Sequence, residues 1–442
     1  MQSMTQQSES GPMGIAGLVL AGATLLVLGV MTLQFLEAKQ YERFVGAALI
    51  QSVLYAAAVW LVVRRRPHPR ALLVILATAA LARGVALFSP DTLSTDVYRY
   101  VWDGRVQAAG INPYRYVPAD PALAFLRDDA IYAHVNRADY APTAYPPVAQ
   151  AIFLVVSRIA ETPTAMKLAM VGFEAVAIGA ILALLRRDGL PDARVLIYAW
   201  HPLPIWEFAG TGHVDAAAIA LLCLALLAAA RGRPLATGAA LALSVLVKPF
   251  ALVIAPALWR KWDFRMPAAF ASVLMICYAP YLGVGWRVFG FLGGYGGEEA
   301  YLEGDGFFLT SLLRHLGAAV PAGPLSAGVA AALLAILGLL IALRPGREPD
   351  QAWAPVLLAA SFLVLVSPHY AWYFAWVLPL LCRKLYLPLL YLTLACFILY
   401  LPEIKDWADY FKAGLWLYGG FAILAFADGL MRIPQPEARR AA

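Results

Sequence analysis

Apolar residues occur along the chain in long blocks separated by short polar turns. Many blocks approach the roughly 20 residues that a helix needs to cross the hydrocarbon core of a membrane. They show no sustained alternation of apolar and polar positions, which favours helices over a membrane barrel. The pattern predicts apolar segments at 14–35, 43–63, 71–88, 147–160, 165–186, 193–208, 214–230, 234–257, 265–283, 323–343, 352–367, 370–382, 384–401 and 411–431.

Some of these segments are not expected to cross the membrane alone. Segments 147–160 and 370–382 have the length of re-entrant or partial helices. Segment 234–257 has basic turns at both ends, and Lys248-Pro249 in its middle offers a break, because proline removes a backbone hydrogen bond. We therefore expect one non-crossing element in 147–186 and another in 234–257.

These expectations define the fold class. We predict an all-α protein that forms a single transmembrane helical bundle over residues 1–442, with roughly 11–13 crossings. Composition agrees, because 62% of the residues are hydrophobic and only 14% are charged. An average globular chain has roughly 25% charged residues. A soluble protein with this balance would lack the polar residues to cover its surface.

Basic residues cluster in short turns, a pattern that sets the orientation of membrane proteins. The densest cluster runs from Arg64 to Arg70, so we expect it and the N-terminus to be cytoplasmic. The other turns expected in the cytoplasm are Arg231-Gly-Arg233, Arg260 to Arg265, Arg344 to Arg347, Arg383-Lys384 and Arg439-Arg440. Since the net charge of +6 arises largely from these turns, it does not indicate a nucleic-acid partner.

The stretch 89–145 differs from the rest of the chain and is expected to be an external loop. It contains seven acidic residues, five arginines, nine aromatic residues and no lysine. Its pattern predicts a helix from Asp96 to Ala109 with Ser94 or Thr95 as N-cap. A second external loop is expected at 284–306, which is rich in glycine and acidic residues.

The first loop contains the strongest candidates for acid–base chemistry. Asp96, Arg99 and Asp103 lie on one face of the predicted helix, and Asp91 lies close to the membrane. One of these carboxylates is a candidate general base, with a pKa raised by partial desolvation. The alternative is structural: Arg99 pairs with Asp103, and Asp96 is a favourable charge at a helix N-terminus.

Cationic and aromatic residues suggest a site for a phosphate and a sugar. Guanidinium groups suit phosphate binding, and a lysine within an apolar segment needs a negative partner. The phosphate-binding candidates are Arg99, Arg105, Lys248 and His369. Aromatic side chains are candidates for stacking on a sugar or lipid, with an interfacial aromatic belt as the alternative. The aromatic candidates are Trp102, Tyr145 and Tyr370.

A third cluster combines Glu207, His213 and Asp215 within apolar surroundings. Ionisable groups at membrane depth are costly and indicate function. These residues are candidates for substrate binding or for a buried polar network between helices. Their spacing fits no established zinc pattern, so we assign no metal ligands and no certain cofactor, while a divalent metal remains an alternative.

Taken together, these residues resemble a known family. The resemblance rests on the run from Asp96 to Tyr114, Tyr145-Pro146-Pro147-Val-Ala-Gln150, Trp206-Glu207, Gly212-His213-Val-Asp215, Val247-Lys248-Pro249 and Ser367-Pro368-His369-Tyr370-Ala-Trp372-Tyr373. It covers about residues 75 to 400. The chain resembles the bacterial GT-C glycosyltransferases of the membrane, and among them the polyprenyl-phosphomannose-dependent α-mannosyltransferases.

The resemblance implies a specific reaction. Such enzymes move a sugar, here mannose in the first place, from a polyprenyl-phosphate donor to an acceptor hydroxyl of a glycolipid or glycan. The transfer takes place at the external face of the bacterial inner membrane and inverts the anomeric carbon. An acidic residue of the first external loop acts as base. Asp96 matches that position best, ahead of Asp103 and Asp91.

Two other functions remain open from the sequence. A transporter or flippase of a lipid-linked sugar would use the same intramembrane charges and broken helices. A non-catalytic relative that acts as a membrane assembly partner is the third alternative. The acidic and aromatic character of loop 89–145 favours the transferase over both.

Overall fold

The computed structural model describes residues 15–65, 67–320, 323–345, 352–404 and 409–432. Within these ranges the chain folds into helices and contains no β-strand, as the apolar pattern predicts. Parts of three predicted basic turns, at Arg66, Arg347 and Arg439-Arg440, lie outside the described residues, as does the N-terminal stretch 1–14.

The helices of the first half surround loop 89–145 and the polar break near residue 212. The α-helices are α1 Ile15–Glu37, α2 Tyr41–Arg64, α3 Ala71–Ala86, α4 Asp96–Ala108, α5 Pro147–Ile159, α6 Pro163–Arg187, α7 Leu196–Ala199, α8 Pro202–Pro204 and α9 Asp215–Ala230. Short 3₁₀ turns occur at Pro121–Leu126, Tyr132–His134 and Asp192–Val195, and one π turn occurs at Ile205–Gly210.

The second half continues the bundle and contains the second loop. Its α-helices are α10 Pro234–Val245, α11 Ala255–Leu258, α12 Arg265–Tyr278, α13 Leu292–Glu298, α14 Phe308–His315, α15 Gly323–Leu343, α16 Trp353–Val366, α17 Leu378–Arg383, α18 Leu387–Ala395, α19 Leu401–Ile404 and α20 Tyr410–Arg432. The 3₁₀ segments are Pro249–Ile254, Ala279–Phe289, Ala371–Val377 and Cys396–Tyr400.

Six helical segments among the described residues are long and apolar enough to cross a membrane. They are Ile15–Glu37, Tyr41–Arg64, Pro163–Arg187, Arg265–Phe289, Gly323–Leu343 and Tyr410–Leu430. Seven shorter apolar segments of 10–17 residues accompany them. The fold is therefore the predicted polytopic helical bundle, and the count of 11–13 crossings stays a prediction because it needs most of the shorter segments to cross.

The loop helix α4 forms a pair with α5 beside the bundle. Helix α4 begins at Asp96 as predicted, with Thr95 at its N-cap position. The Thr95 side chain makes no capping hydrogen bond, whereas the Ser94 hydroxyl accepts one from the Asp96 amide at 3.2 Å. At the other end, Arg158 of α5 donates to the Ala108 carbonyl at 2.9 Å. With 13 residues, α5 spans about 20 Å, less than the roughly 30 Å hydrocarbon core. This length agrees with the non-crossing element expected in 147–186, and which segments cross stays a prediction.

Segment 234–257 folds back on itself at the break around Lys248. Arg233 and Arg260, which flank the segment, line the same cavity at one end of the bundle. At the break, the Leu246 carbonyl accepts a hydrogen bond from the Val148 amide at 3.0 Å. The chain thus rises through α10 and returns through the 3₁₀ turn and α11. This is why both ends of the segment are basic.

Segment 193–208 differs from its prediction as one continuous apolar helix. It consists of a 3₁₀ turn, the short helices α7 and α8, and a π turn. Pro202 and Pro204 lack the amide protons that a continuous helix requires. The His201 ring replaces one of the lost contacts, because its Nδ1 accepts a hydrogen bond from the Leu203 amide at 3.1 Å.

The interior of the bundle contains an ion pair between α3 and α6. The Arg83 Nε donates to Glu174 at 3.0 Å, and the same guanidinium donates to the Ala199 carbonyl at 2.8 Å. Both charged side chains are buried. Such pairs join helices where an apolar contact would leave their register less defined. Beyond them, α6 packs on α9, α9 on α10 and α10 on α12.

Gly104 controls how closely α4 and α5 approach. A Cβ at this position would collide with the Phe153 carbonyl oxygen and the Ser157 hydroxyl. We expect Gly104→Ala to destabilise the protein by about 1–3 kcal/mol, because a tightly packed contact does not absorb an added methyl group. Thermal unfolding of the purified protein in detergent measures the effect.

The matched control for this prediction is Gly84→Ala in α3. A Cβ there meets no heavy atom within 4 Å. Since alanine is favoured over glycine in helices by about 1 kcal/mol, this variant should be at least as stable as the wild type. Equal loss in both variants would contradict the close approach of α4 and α5.

Candidate functional site

Asp96 is the first residue of α4, and its side chain is the centre of a buried polar cluster. One carboxylate oxygen accepts a hydrogen bond from the Asn136 amide at 2.7 Å, and the other accepts one from the Tyr145 hydroxyl at 3.1 Å. The Nε2 of His213 lies 3.9 Å from the second oxygen. Asp96 therefore lies where the first loop meets the break between helices before α9.

Several cations act on the Asp96 carboxylate. Burial raises its pKa, but nearby His213 and Lys248 lower it. The hydrogen bond from Asn136 and the charge of Arg137 lower it further, and the net pKa lies below the ordinary value. Asp96 is therefore ionised at neutral pH. The expected rise in pKa from desolvation is wrong because cations from outside the predicted helix outweigh it.

His213 connects Asp96 to a second buried carboxylate. Its Nδ1 lies 3.0 Å from Glu207 and 2.6 Å from the Thr211 hydroxyl. Glu207 also accepts a hydrogen bond from the Tyr400 hydroxyl. Because its Nδ1 is held in this way, the imidazole presents Nε2 towards Asp96, and Nε2 makes no hydrogen bond with a described residue. A buried imidazole nitrogen in this position is available to a substrate hydroxyl.

Lys248 and Asp215 form the next contact of the cluster. The Lys248 ammonium lies 3.4 Å from the Asp215 carboxylate, and both side chains are buried. Asp215 is the first residue of α9, where the partial positive charge of the helix N-terminus favours a carboxylate. Lys248 follows the break after α10, and its ammonium lies 4.8 Å from the centre of the Tyr373 ring.

Aromatic rings form one wall beside this cluster. Trp372 stacks on His213 with ring centroids 4.2 Å apart, and Tyr370 stacks on Trp372 at 4.6 Å. Tyr370 is half-buried, whereas Trp372 is buried. Stacked rings next to hydroxyl-binding groups suit the apolar face of a sugar ring. The structure thus brings Tyr370 together with His213, although the two lie far apart in the sequence.

Asp103 and Arg99 are engaged in contacts that hold the first loop. Asp103 is 2% exposed and accepts hydrogen bonds from Arg99 at 3.0 Å, from Gln150 at 2.9 Å and from Thr143. Arg99 also donates to the Ala141 carbonyl at 3.1 Å. The pairing of Arg99 with Asp103 is the structural alternative of the sequence analysis, and the structure shows this ion pair buried.

Arg105 is likewise engaged within the loop region. Its guanidinium pairs with Glu161 and Asp128, both at 2.8 Å, and donates to the Leu126 carbonyl at 3.0 Å. It therefore fastens the end of α4 to the turn before α6.

Two further candidates lie away from the cluster. Asp91 pairs with Lys167 of α6. The Trp102 ring is buried and lies 5.2 Å from the Tyr132 ring. Asp91 thus joins the loop to the bundle, whereas Trp102 packs against another residue of the loop.

His369 lies beside the second loop. Its Nε2 is 3.1 Å from the Gly306 carbonyl, and its ring stacks between Tyr301 and Tyr410, at centroid distances of 5.8 and 4.5 Å. The four phosphate-binding candidates thus do not converge on one point. Among these four, Lys248 is the one described residue whose charge lowers the pKa of Asp96.

The sequence interpretation missed three residues of the cluster: Asn136, Arg137 and Glu299. Arg137 pairs with Glu298 at 2.8 Å and thereby joins the first loop to the second. Glu299 is only 7% exposed. Burial raises its pKa to about 7, although Lys248 and Arg137 act in the opposite direction. The acidic run at Glu298-Glu299 is the sequence signal that pointed to this segment.

The described residues contain no group of three or more His, Cys, Asp and Glu side chains arranged to hold a metal ion. Glu207 and His213 are in contact, whereas Asp215 pairs with Lys248. The three residues of the metal alternative thus belong to two separate contacts of the same polar cluster.

A comparison with protein families gives the cluster its context. Residues 11–263, more than half of the chain, match the family described as alpha-(1->6)-mannopyranosyltransferase, N-terminal domain (MptA_B family). The chain belongs to this family. No curated protein and no solved structure matches it.

The family membership establishes the type of activity. The protein is a membrane mannosyltransferase of the GT-C type, which decides against the transporter alternative. The matched region includes the main polar residues of the cluster, namely Asp96, Asn136, Tyr145, Glu207, His213, Asp215 and Lys248. Glu299, His369 and Tyr370 lie beyond it.

The ion pair of Lys248 with Asp215 leads to a prediction about the stability of the folded protein. Lys248→Met should destabilise the mannosyltransferase by about 3–5 kcal/mol, because Asp215 stays buried without its cationic partner. The double variant Lys248→Met, Asp215→Asn should recover roughly half of the loss or more, because it removes the uncompensated charge. Thermal unfolding in detergent gives both values, and purely additive losses would contradict the pair.

Glu299 makes a prediction on pH dependence. Its pKa in the folded protein, about 7, exceeds the ordinary value of 4.5, so folding favours the protonated form. Its contribution to stability is complete below about pH 4.5 and is lost as the pH rises through 7. Between about pH 5 and 8, the wild type should lose on the order of 1–3 kcal/mol relative to Glu299→Gln.

Unfolding temperatures measured from pH 5 to 9 test this difference. Glu303→Gln is the matched control, because Glu303 is exposed on the same loop. Its pH profile should follow the wild type. Parallel profiles for the wild type and Glu299→Gln would show that Glu299 titrates as in the unfolded chain.

Proposed function

We propose that this mannosyltransferase moves mannose from a polyprenyl-phosphate donor to an acceptor hydroxyl, with inversion at the anomeric carbon. Asp96 is the general base in this proposal. The observation that carries it is the buried, ionised Asp96 carboxylate, which lies between the polar first loop and the cations of the helical bundle. A base that is already ionised at neutral pH can accept a proton from the attacking hydroxyl.

The reaction then follows from the geometry of the cluster. The acceptor oxygen attacks C1 of mannose while the bond from C1 to the phosphate oxygen breaks. The proton of the acceptor hydroxyl goes to Asp96, and the bonding electrons leave with the polyprenyl phosphate. Lys248 stabilises the negative charge that develops on that phosphate. Its pairing with Asp215 positions the ammonium for this role.

The mannose ring lies between the polar and aromatic sides of the cluster in this proposal. His213 and Tyr145 contact sugar hydroxyls, since Nε2 and the phenol face Asp96. Glu207 fixes the imidazole, and Tyr370 contributes to the aromatic wall. A lipid-linked donor suits a cluster within an apolar bundle, because its lipid remains among the helices.

The proposed organisation is a single membrane domain over residues 1–442. Loop 89–145 is its external catalytic loop, 284–306 is its second external loop, and the N-terminus is cytoplasmic in a bacterial inner membrane. The basic turns at the opposite end of α6 and α9 support this orientation. Asp103, Asp91, Arg99 and Arg105 hold the first loop in this scheme, and His369 positions the second.

The exchange Asp96→Asn tests the proposed base. The amide is close to the carboxylate in size but does not accept the proton, so mannose transfer should fall roughly 10²- to 10⁴-fold. The assay follows label from polyprenyl-phosphate-mannose in membranes, with nucleotide-linked mannose as the comparison donor. Asp139→Asn is the matched control, because Asp139 is an exposed acid of the same loop and its loss should leave transfer unchanged.

The other outcomes identify what is wrong with the proposal. Full activity of Asp96→Asn would move the base to another carboxylate, and Asp103→Asn would be the next variant to assay. Transfer by the wild type from nucleotide-linked mannose alone would overturn the lipid-linked donor. Unfolding temperatures of each variant show whether a loss of transfer reflects misfolding.

A further inference from the structure

A basic cavity lies at the end of the bundle opposite to Asp96. It has a volume of about 360 Å³ and is lined by Arg187, Arg233, Arg260 and Arg265, with Asp263 as the one acidic side chain among its described lining residues. Arg265 pairs with Asp263 at 2.8 Å, and Arg187 pairs with Asp188 at 3.2 Å. The Arg233 guanidinium makes no hydrogen bond or ion pair with a described residue. The cavity therefore has an excess of positive charge.

Helix directions place this cavity at the opposite end of the helical bundle from the polar cluster. α9 begins at Asp215, beside Lys248, and ends at Ala230, which lines the cavity. Its 16 residues span about 24 Å. α6 gives the same direction, because its Lys167 pairs with Asp91 of the first loop and its last residue is Arg187. The cavity is thus separate from the mannosyl-transfer site.

An apolar groove lies next to the cavity on the outside of the bundle. It has a volume of about 380 Å³ and runs between α10, α11, α12 and α15. Its lining includes Leu241, Leu252, Trp259, Phe270 and Leu339. Met266 lines both the groove and the basic cavity, so the two are adjacent. Leu252 is 49% exposed and Leu339 is 58% exposed, as expected for a surface that faces lipid.

We propose that the cavity and groove together bind one anionic phospholipid. The phosphate of its headgroup lies among the arginines, since guanidinium groups bind phosphate oxygens in pairs. One acyl chain lies in the groove, where apolar side chains replace its contacts with other lipids. Basic pockets between transmembrane helices recognise anionic headgroups in this way. A free phosphate would use the arginines but leave the groove without a role.

The test measures lipid binding by the full-length protein in nanodiscs of phosphatidylcholine. Increasing fractions of phosphatidylglycerol are added, and bound lipid is counted by native mass spectrometry after release into detergent. We expect preferential retention of phosphatidylglycerol by the wild type. Arg233→Gln should bind it about fivefold more weakly, because each basic residue at a membrane surface contributes about that factor.

Two further variants test the two parts of the proposal. One controls for general surface charge, and the other tests whether the groove contributes to binding. Arg231→Gln is the matched control, because Arg231 is exposed in the same turn but does not line the cavity. It should bind like the wild type. Ala335→Trp places a large ring in the groove and should weaken phosphatidylglycerol binding even though every arginine remains.

Three outcomes would overturn the proposal. Equal losses in Arg231→Gln and Arg233→Gln would mean diffuse attraction between charged surfaces. Unchanged binding by Ala335→Trp, together with equal protection against thermal unfolding by inorganic phosphate, would mean a site for a free anion. Equal retention of phosphatidylcholine and phosphatidylglycerol would mean that the arginines do not select a headgroup. Unfolding temperatures confirm that the variants are folded.

Discussion

A lysine inside an apolar helical bundle needs a negative partner, and Lys248 has one in Asp215. This pair fixes two irregular features at one level: the break after α10 and the first turn of α9. The same break accepts a hydrogen bond from the start of α5 through the Leu246 carbonyl. A charge that the bundle must neutralise therefore also holds the polar loop against the helices, and Asp96 lies at that junction.

The two loops are held by different kinds of contact. The first loop is fastened through Asp103, whose carboxylate receives three hydrogen bonds, and through Arg105 at the end of α4. The second loop rests on the first through Arg137 and Glu298, and through the Phe291 amide on the Thr143 carbonyl at 3.1 Å. The first loop is thus anchored by buried contacts, whereas the ion pair that joins the second loop to it is partly exposed.

The sequence predicts the parts of this structure that depend on neighbouring residues, and it does not predict the parts that depend on contacts between distant segments. Long apolar blocks have few folded solutions in a membrane, so the helical bundle follows from the chain itself. The polar helix α4 follows from its local pattern, with Ser94 and Thr95 before its first turn. The break in 193–208 was missed because the segment was identified by its apolar residues alone. That criterion does not take into account that Pro202 and Pro204 interrupt a helix. Glu299 was not chosen as a site residue because its burial depends on distant parts of the chain.

The limited length of α9 has a consequence for how deep the proposed site lies in a membrane. About 24 Å separate its two ends, less than the roughly 30 Å of a hydrocarbon core, so in the proposed orientation, with Ala230 at one membrane surface, Asp215 lies below the other surface. For a lipid-linked donor this depth has an energetic consequence. Withdrawing a lipid chain from the bilayer costs about 0.8 kcal/mol for each CH₂ group. A recessed site receives the phosphate without that cost, since the chain stays in the bilayer throughout the reaction.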